Sequence, residues 1–98
     1  VLNQKINPIQ TVAERIRQRR AQMLVHSYIY YALDNSIVSD DTWQAWANEL
    51  RDLQAAYGWQ IGYYDEAFRD WIGATGHDLP RDEWVQNKAR RLLQYRGG

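Results

Sequence analysis

The chain contains no cysteine. That excludes a disulfide scaffold and any thiolate metal site, and it fits a reducing cytoplasm. Only two prolines occur in the 98 residues, at positions 8 and 80, so long helices are free to form between them. No apolar run approaches the ~20 residues that a membrane helix needs. The polar N-terminus carries no signal-peptide pattern, and Val rather than Met at position 1 points to a removed Met or a trimmed chain. Catalytic motifs are missing as well: there is no Walker loop and no Gly-x-Ser-x-Gly. The two histidines, His26 and His77, belong to no His-x-x-x-His or Glu-x-x-His pair, so no metal site is expected. Neither sign of charge is in excess, because twelve Lys and Arg balance twelve Asp and Glu.

Aromatic residues, by contrast, are plentiful: five Trp, seven Tyr and one Phe. Large rings bury much area per residue, which suits the core of a small domain, and they also suit binding surfaces. The balanced charge is unevenly distributed. Lys5, Arg15, Arg17, Arg19 and Arg20 lie in the first third against Glu14 alone, and eleven of the twelve acids lie between Asp34 and Glu83. Lys88, Arg90, Arg91 and Arg96 then follow with no acid among them. Internal pairing of basic ends with an acidic centre is the expected outcome. The alternative is a basic face formed by Arg19, Arg20, Arg90 and Arg91 on the first and last helices, facing nucleic acid. The neutral total weakens that alternative.

The pattern predicts an all-α fold in one domain: a long helical hairpin followed by two shorter helices. Residues 1–8 read as a flexible N-terminal tail and 9–96 as the helical domain. From Ile9 to Leu33 nothing breaks a helix, and Pro8 suits its first turn. Its apolar face widens after Met23, so the C-terminal half is expected in the core and the Arg15–Arg20 part more exposed. Asp34-Asn35-Ser36 signals a turn, and Ser39 is a good N-cap for a second helix over 40–57. Asp40 and Asp41 complement its dipole, Trp43, Trp46, Ala47, Leu50, Leu53 and Tyr57 form an apolar stripe, and Gly58 is a plausible end. A short helix is expected over 63–72, with Tyr64, Phe68, Trp71 and Ile72 inward. Asp65, Glu66 and Asp70 read as a solvated acidic edge. A two-glycine turn spans 73–76, and the last helix runs over 81–95 with Trp84 or Val85, Ala89, Leu92 and Leu93 inward.

The stretch from His26 to Trp43 draws aromatics, a His and three Asp to the joint of the hairpin, where polar and aromatic side chains converge. Three groups of residues stand out there: Tyr28-Ile-Tyr30-Tyr31-Ala-Leu-Asp34, Ser39-Asp40-Asp41-Thr42-Trp43 and Glu49-Leu50-Arg51-Asp52-Leu53. In order and spacing, over about 24–54, they resemble the N-terminal helical subdomain, domain Ia, of bacterial NAD-dependent DNA ligases. In that family the subdomain clamps the nicotinamide mononucleotide (NMN) half of NAD. The resemblance therefore implies that Tyr30 and Tyr31 border a nicotinamide ring, that Asp40 is the first acidic contact and that Trp43 replaces a Tyr. Gln44 stands where the ligases carry a second Asp. The adenylating Lys-x-Asp-Gly motif is absent, since Lys5 and Lys88 have other neighbours. Residues 64–80 and the helix ending in Leu92-Leu93-Gln-Tyr95 resemble a group of small ligase-related proteins encoded mainly by bacteriophages and prophages. That likeness implies a bacterial host cytoplasm.

Two functions follow. The first is a non-catalytic phage-type helical module acting through a host or phage protein, or through nucleic acid. The second is a module that binds NMN or NAD at the hairpin joint through Tyr30, Tyr31, Asp40 and Trp43. No cofactor is required by either, and the chain is not expected to be an enzyme.

Overall fold

Ser39 and Gly58 bracket the most sharply bounded element of the chain. In the computed structural model, which describes residues 10–97 with side chains through Tyr95, this helix runs Asp40–Tyr57. The Ser39 hydroxyl accepts from the Thr42 N–H, and the Gly58 N–H donates to the Gln54 carbonyl. Gly58 sits at φ 100°, a conformation glycine adopts without a Cβ penalty. The helix before it, α1, runs Val12–Tyr31; with α2 (Asp40–Tyr57), α3 (Asp65–Phe68) and α4 (Glu83–Gly97), the described residues form an all-α fold.

The start of α1 is set by a capping box rather than by Pro8. Thr11 Oγ1 accepts from the Glu14 N–H, and the Glu14 carboxylate accepts from the Thr11 N–H. The expected tail and the first turn at Pro8–Ile9 lie outside the described residues. At its other end α1 stops where Asp34 takes a left-handed conformation, φ 51°, which Asp tolerates better than most residues. The N–H groups of Ala32 and Leu33 both return to the Tyr28 carbonyl, and that of Asn35 to Ile29, so the last turn is closed.

α1 packs on both α2 and α4. One face, with Ile16, Met23 and Leu24, meets Ala47, Leu50, Phe68, Leu79 and Val85. A second, with Val25 and Ile29, meets Ala89. This double duty explains why the apolar face widens after Met23. Each fully buried aliphatic side chain there contributes about 1.5–3 kcal/mol. Val85 is the inward residue at the start of α4, while Trp84 stays 43% exposed. Asp82 caps that helix by accepting from the Val85 N–H.

Three expectations need correction. The Arg15–Arg20 part is the more exposed one only at Arg15, Arg17 and Gln18, because Arg19 and Arg20 are buried. The helix expected over 63–72 shrinks to Asp65–Phe68, and Ile72 points outward. It shrinks because its flanking backbone is engaged elsewhere. The N–H groups of Ile61, Gly62 and Tyr63 converge on the Asp65 carboxylate, and the Phe68 carbonyl accepts from Gln54 Nε2 and the Trp71 N–H. Asp65 is accordingly no solvated edge. The glycine turn is packed tightly: a Cβ on Gly76 would collide with Ser27 Oγ of α1.

Candidate nicotinamide pocket at the hairpin joint

Because the turn over 32–39 is short, the end of α1 and the start of α2 stand side by side. A cavity of about 340 Å³ opens between them. α1 contributes His26, Tyr30 and Tyr31, the turn contributes Ser36, Ile37 and Val38, and α2 contributes Asp40, Trp43 and Gln44. All four residues singled out at the joint from the sequence thus line one space. His26 belongs with them because it lies four positions before Tyr30, one helical turn down the same face. The sequence placed His26 in this stretch, but the four residues singled out for the nicotinamide left it aside.

The walls are of two kinds. Tyr30 and Tyr31 stand at the mouth, 53% and 39% exposed, with their rings edge to face at 4.8 Å. The Tyr31 hydroxyl lies 3.0 Å from Thr75 Oγ1, and its ring meets His77 edge-on at 5.2 Å. Trp43 is half-buried, packed against the core and 6.3 Å from the Trp71 ring. Deeper in, the His26 ring rests against Trp46 at 5.4 Å, and its Nδ1 is buried with no hydrogen-bond partner. Burial pushes the His26 imidazole below its ordinary value, so it is neutral at pH 7. Asp40 is the one formally charged residue among those lining the cavity.

The four arginines considered for nucleic acid do not form one face. Arg19 donates to Glu49 and Gln22, and Arg20 is fully buried with four hydrogen bonds, to Gln54 Oε1, Asp65 Oδ1 and the Tyr63 and Trp59 carbonyls. Guanidinium groups held in this way cannot also meet phosphates. Arg90, bonded to Asn87, and Arg91 are exposed on α4. The expected internal pairing of basic and acidic segments does occur in α1, through Arg15 and Arg19 with Glu49 and Arg20 with Asp65. Burial raises the Asp65 pKa, but the N–H of Gly62, the Arg20 guanidinium and the N–H groups of Ile61 and Tyr63 outweigh it. They hold the carboxyl well below the usual carboxylate range.

Residues 9–62, which span α1, the joint and α2, match the family model described as DNA ligase-like, N-terminal NAD+-binding domain. The chain belongs to this family. The DNA ligase of Chloroflexus aurantiacus is 47% identical over 47 residues, which is 48% of this chain and 7% of that protein. The DNA ligase of Stutzerimonas stutzeri is 42% identical over 48 residues, 49% of this chain and 6% of its own length. The chain therefore spans well under a tenth of the ligases it matches. No solved structure matches it.

Residues 63–98 fall outside the matched segment, yet several of them close on the ligase-like hairpin. Gln44 shows the consequence. Its Nε2 donates to the buried Gly73 carbonyl at 2.9 Å and to Asn48 Oδ1 at 2.9 Å. A carboxylate at this position, which the resemblance to the ligases puts there, has no proton to give that carbonyl at neutral pH. Gln44 thus ties the start of α2 to the segment that follows the hairpin. Trp71 adds a second tie, donating its indole N–H to the Ala47 carbonyl at 3.0 Å.

Proposed function

We propose that this chain is a non-catalytic binding module that holds the NMN half of NAD, or NMN itself, in the cavity at the hairpin joint. The observation that carries this reading is that Tyr30, Tyr31, Asp40 and Trp43 line one open space together. Its volume lies at the lower end of the ~300–1,000 Å³ typical of small-molecule sites, which suits a mononucleotide better than a whole dinucleotide. The oxidised nicotinamide ring is a flat cation. Tyrosine faces at the mouth attract it by about 0.5–1 kcal/mol each when exposed, and by about 2 kcal/mol when water is excluded. Asp40 adds the opposite charge. Among the described residues no Lys or Arg lines the cavity, so the phosphate projects toward solvent. With no Lys-x-Asp-Gly lysine in the chain, the module binds the nucleotide without transferring an adenylyl group.

Titration with NMN, followed by calorimetry and by the indole N–H resonances of the tryptophans, tests this. Binding that saturates at or below millimolar NMN and shifts the Trp43 resonance is expected. The reduced nucleotide, whose ring is neutral, should bind at least several-fold more weakly, and Asp40→Asn should narrow that preference to what the tyrosine faces supply. No heat and no shift at several millimolar NMN would overturn the reading.

A further inference from the structure

The arginines of α1 are consumed inside the molecule, but α4 (Glu83–Gly97) presents a different kind of basic surface. Its inner side is committed to the core through Val85 and Ala89, with Leu92 and Leu93 half-buried beside them. At about 100° per residue, Trp84, Lys88, Arg91 and Tyr95 fall within about 60° of arc on another side of the helix. They succeed one another along it as ring, cation, cation, ring. Trp84 is 43% exposed and Tyr95 80%. Lys88 and Arg91 are exposed, and neither has an ion pair or hydrogen bond among the described residues. Elsewhere the contrast is clear: Arg15, Arg19, Arg20, Arg51 and Arg69 all face carboxylates, and Arg17 lies over the Tyr63 ring at 4.1 Å.

We propose that the Trp84–Lys88–Arg91–Tyr95 face of α4 binds single-stranded nucleic acid. Two exposed cations with no internal counter-charge favour an anionic partner, and the two exposed rings flanking them favour one that also carries flat faces. A single strand supplies both, with phosphates in register with bases free to stack. The ladder spans about 16 Å at 1.5 Å per residue, long enough to follow several nucleotides. A duplex hides its base faces, so the rings would have no role in binding one. An anionic membrane surface also attracts Lys, Arg, Trp and Tyr, but an interfacial helix sinks an aliphatic face into the lipid. The aliphatic face of α4 is already buried against α1. This site lies outside the segment shared with the ligases and does not rest on the nucleotide pocket.

The test is fluorescence anisotropy of a labelled oligothymidylate of about 12 nucleotides with the full chain, across a salt series. Binding that weakens as salt rises is expected. Lys88→Ala with Arg91→Ala should lower affinity about tenfold or more and reduce the log–log salt slope by roughly 1.4, at about 0.7 per phosphate contact on a single strand. Trp84→Ala or Tyr95→Ala should each cost about fivefold or more with the salt slope unchanged. Circular dichroism and NMN binding of these variants should match those of the parent chain, which separates this proposal from the nucleotide reading. Any of four results would overturn it: no binding at about 50 mM salt; equal affinity for a base-free polyanion such as polyphosphate; preference for the duplex; or binding to anionic vesicles but not to the oligonucleotide.

Discussion

Two stretches of the same helix meet opposite fates. Arg15–Arg20 is the most charged part of α1, and it is drawn inward until Arg20 has no exposure at all. His26–Tyr31 is among its most aromatic parts, and it ends at an open cavity with Tyr30 half in solvent. Residue class alone predicts the reverse. The difference lies in what each stretch is offered. Arg20 finds a carboxylate, an amide oxygen and two backbone carbonyls arranged around four of its donors, so its burial leaves little unsatisfied. Tyr30 finds no element to cover it, because the chain must turn there before α2 can begin. Satisfied partners decide burial in this molecule more than polarity does.

The largest effect should come from breaking the closed stretch. Arg20→Ala leaves Asp65 facing a void and two carbonyls without donors. It should cost about 3–5 kcal/mol in urea unfolding, as expected when one partner of a buried pair is removed. A loss below about 1 kcal/mol would show that the cluster is solvated and that the contrast between the two stretches is wrong. The next effect sharpens the comparison at the open end. Gln44→Asp removes the donor to the buried Gly73 carbonyl and should cost about 1–3 kcal/mol. It also places a second carboxylate in the cavity, so calorimetry should show tighter binding of oxidised NMN in the less stable protein. If stability and affinity both fall, the two uses of this position are not in competition.

The smallest effect is a pH profile that separates the two stretches. The native pKa of His26 is depressed from 6.5, so the unfolded chain takes up the proton first, and stability should begin to fall as pH drops below about that value. The native pKa of Asp65 is depressed from 3.8, so its contribution is complete above that pH and is lost only as pH falls further toward the native value. Urea midpoints measured from pH 8 to 3 should therefore decline in two steps. His26→Gln should remove the upper step, and Asp65→Asn should shrink the lower one, to which Glu14 and Glu49, also held below their ordinary values, contribute. A single step that survives in both variants would show that neither group governs it.

Much of the hairpin could be read from the chain. The Ser39 cap, the stripe from Trp43 through Leu53 and Gly58 bound α2 because each acts on neighbours within one or two turns, although Tyr57, expected at the end of that stripe, stands 67% exposed. The same short-range logic placed Tyr30, Tyr31, Asp40 and Trp43 at one joint. The short α3 was less legible, since Tyr63–Ile72 has helical composition while the side chains of Asp65, Arg20 and Gln54 take up its backbone groups. Ile72 was misplaced for that reason.

Local signals, which act through capping, turn formation and helical periodicity, were enough to determine an all-α chain and a hairpin with its turn at 34–39, and the resemblance in residue order over 24–54 added kinship to the ligase domain. Only the tertiary structure decided that Arg20 would be buried against Asp65, 45 positions away, and that Gln44 would serve Gly73, 29 positions away. It also decided that the joint would remain open. Such outcomes depend on which donors and acceptors arrive from distant parts of the chain, and periodicity within a single helix carries no record of them.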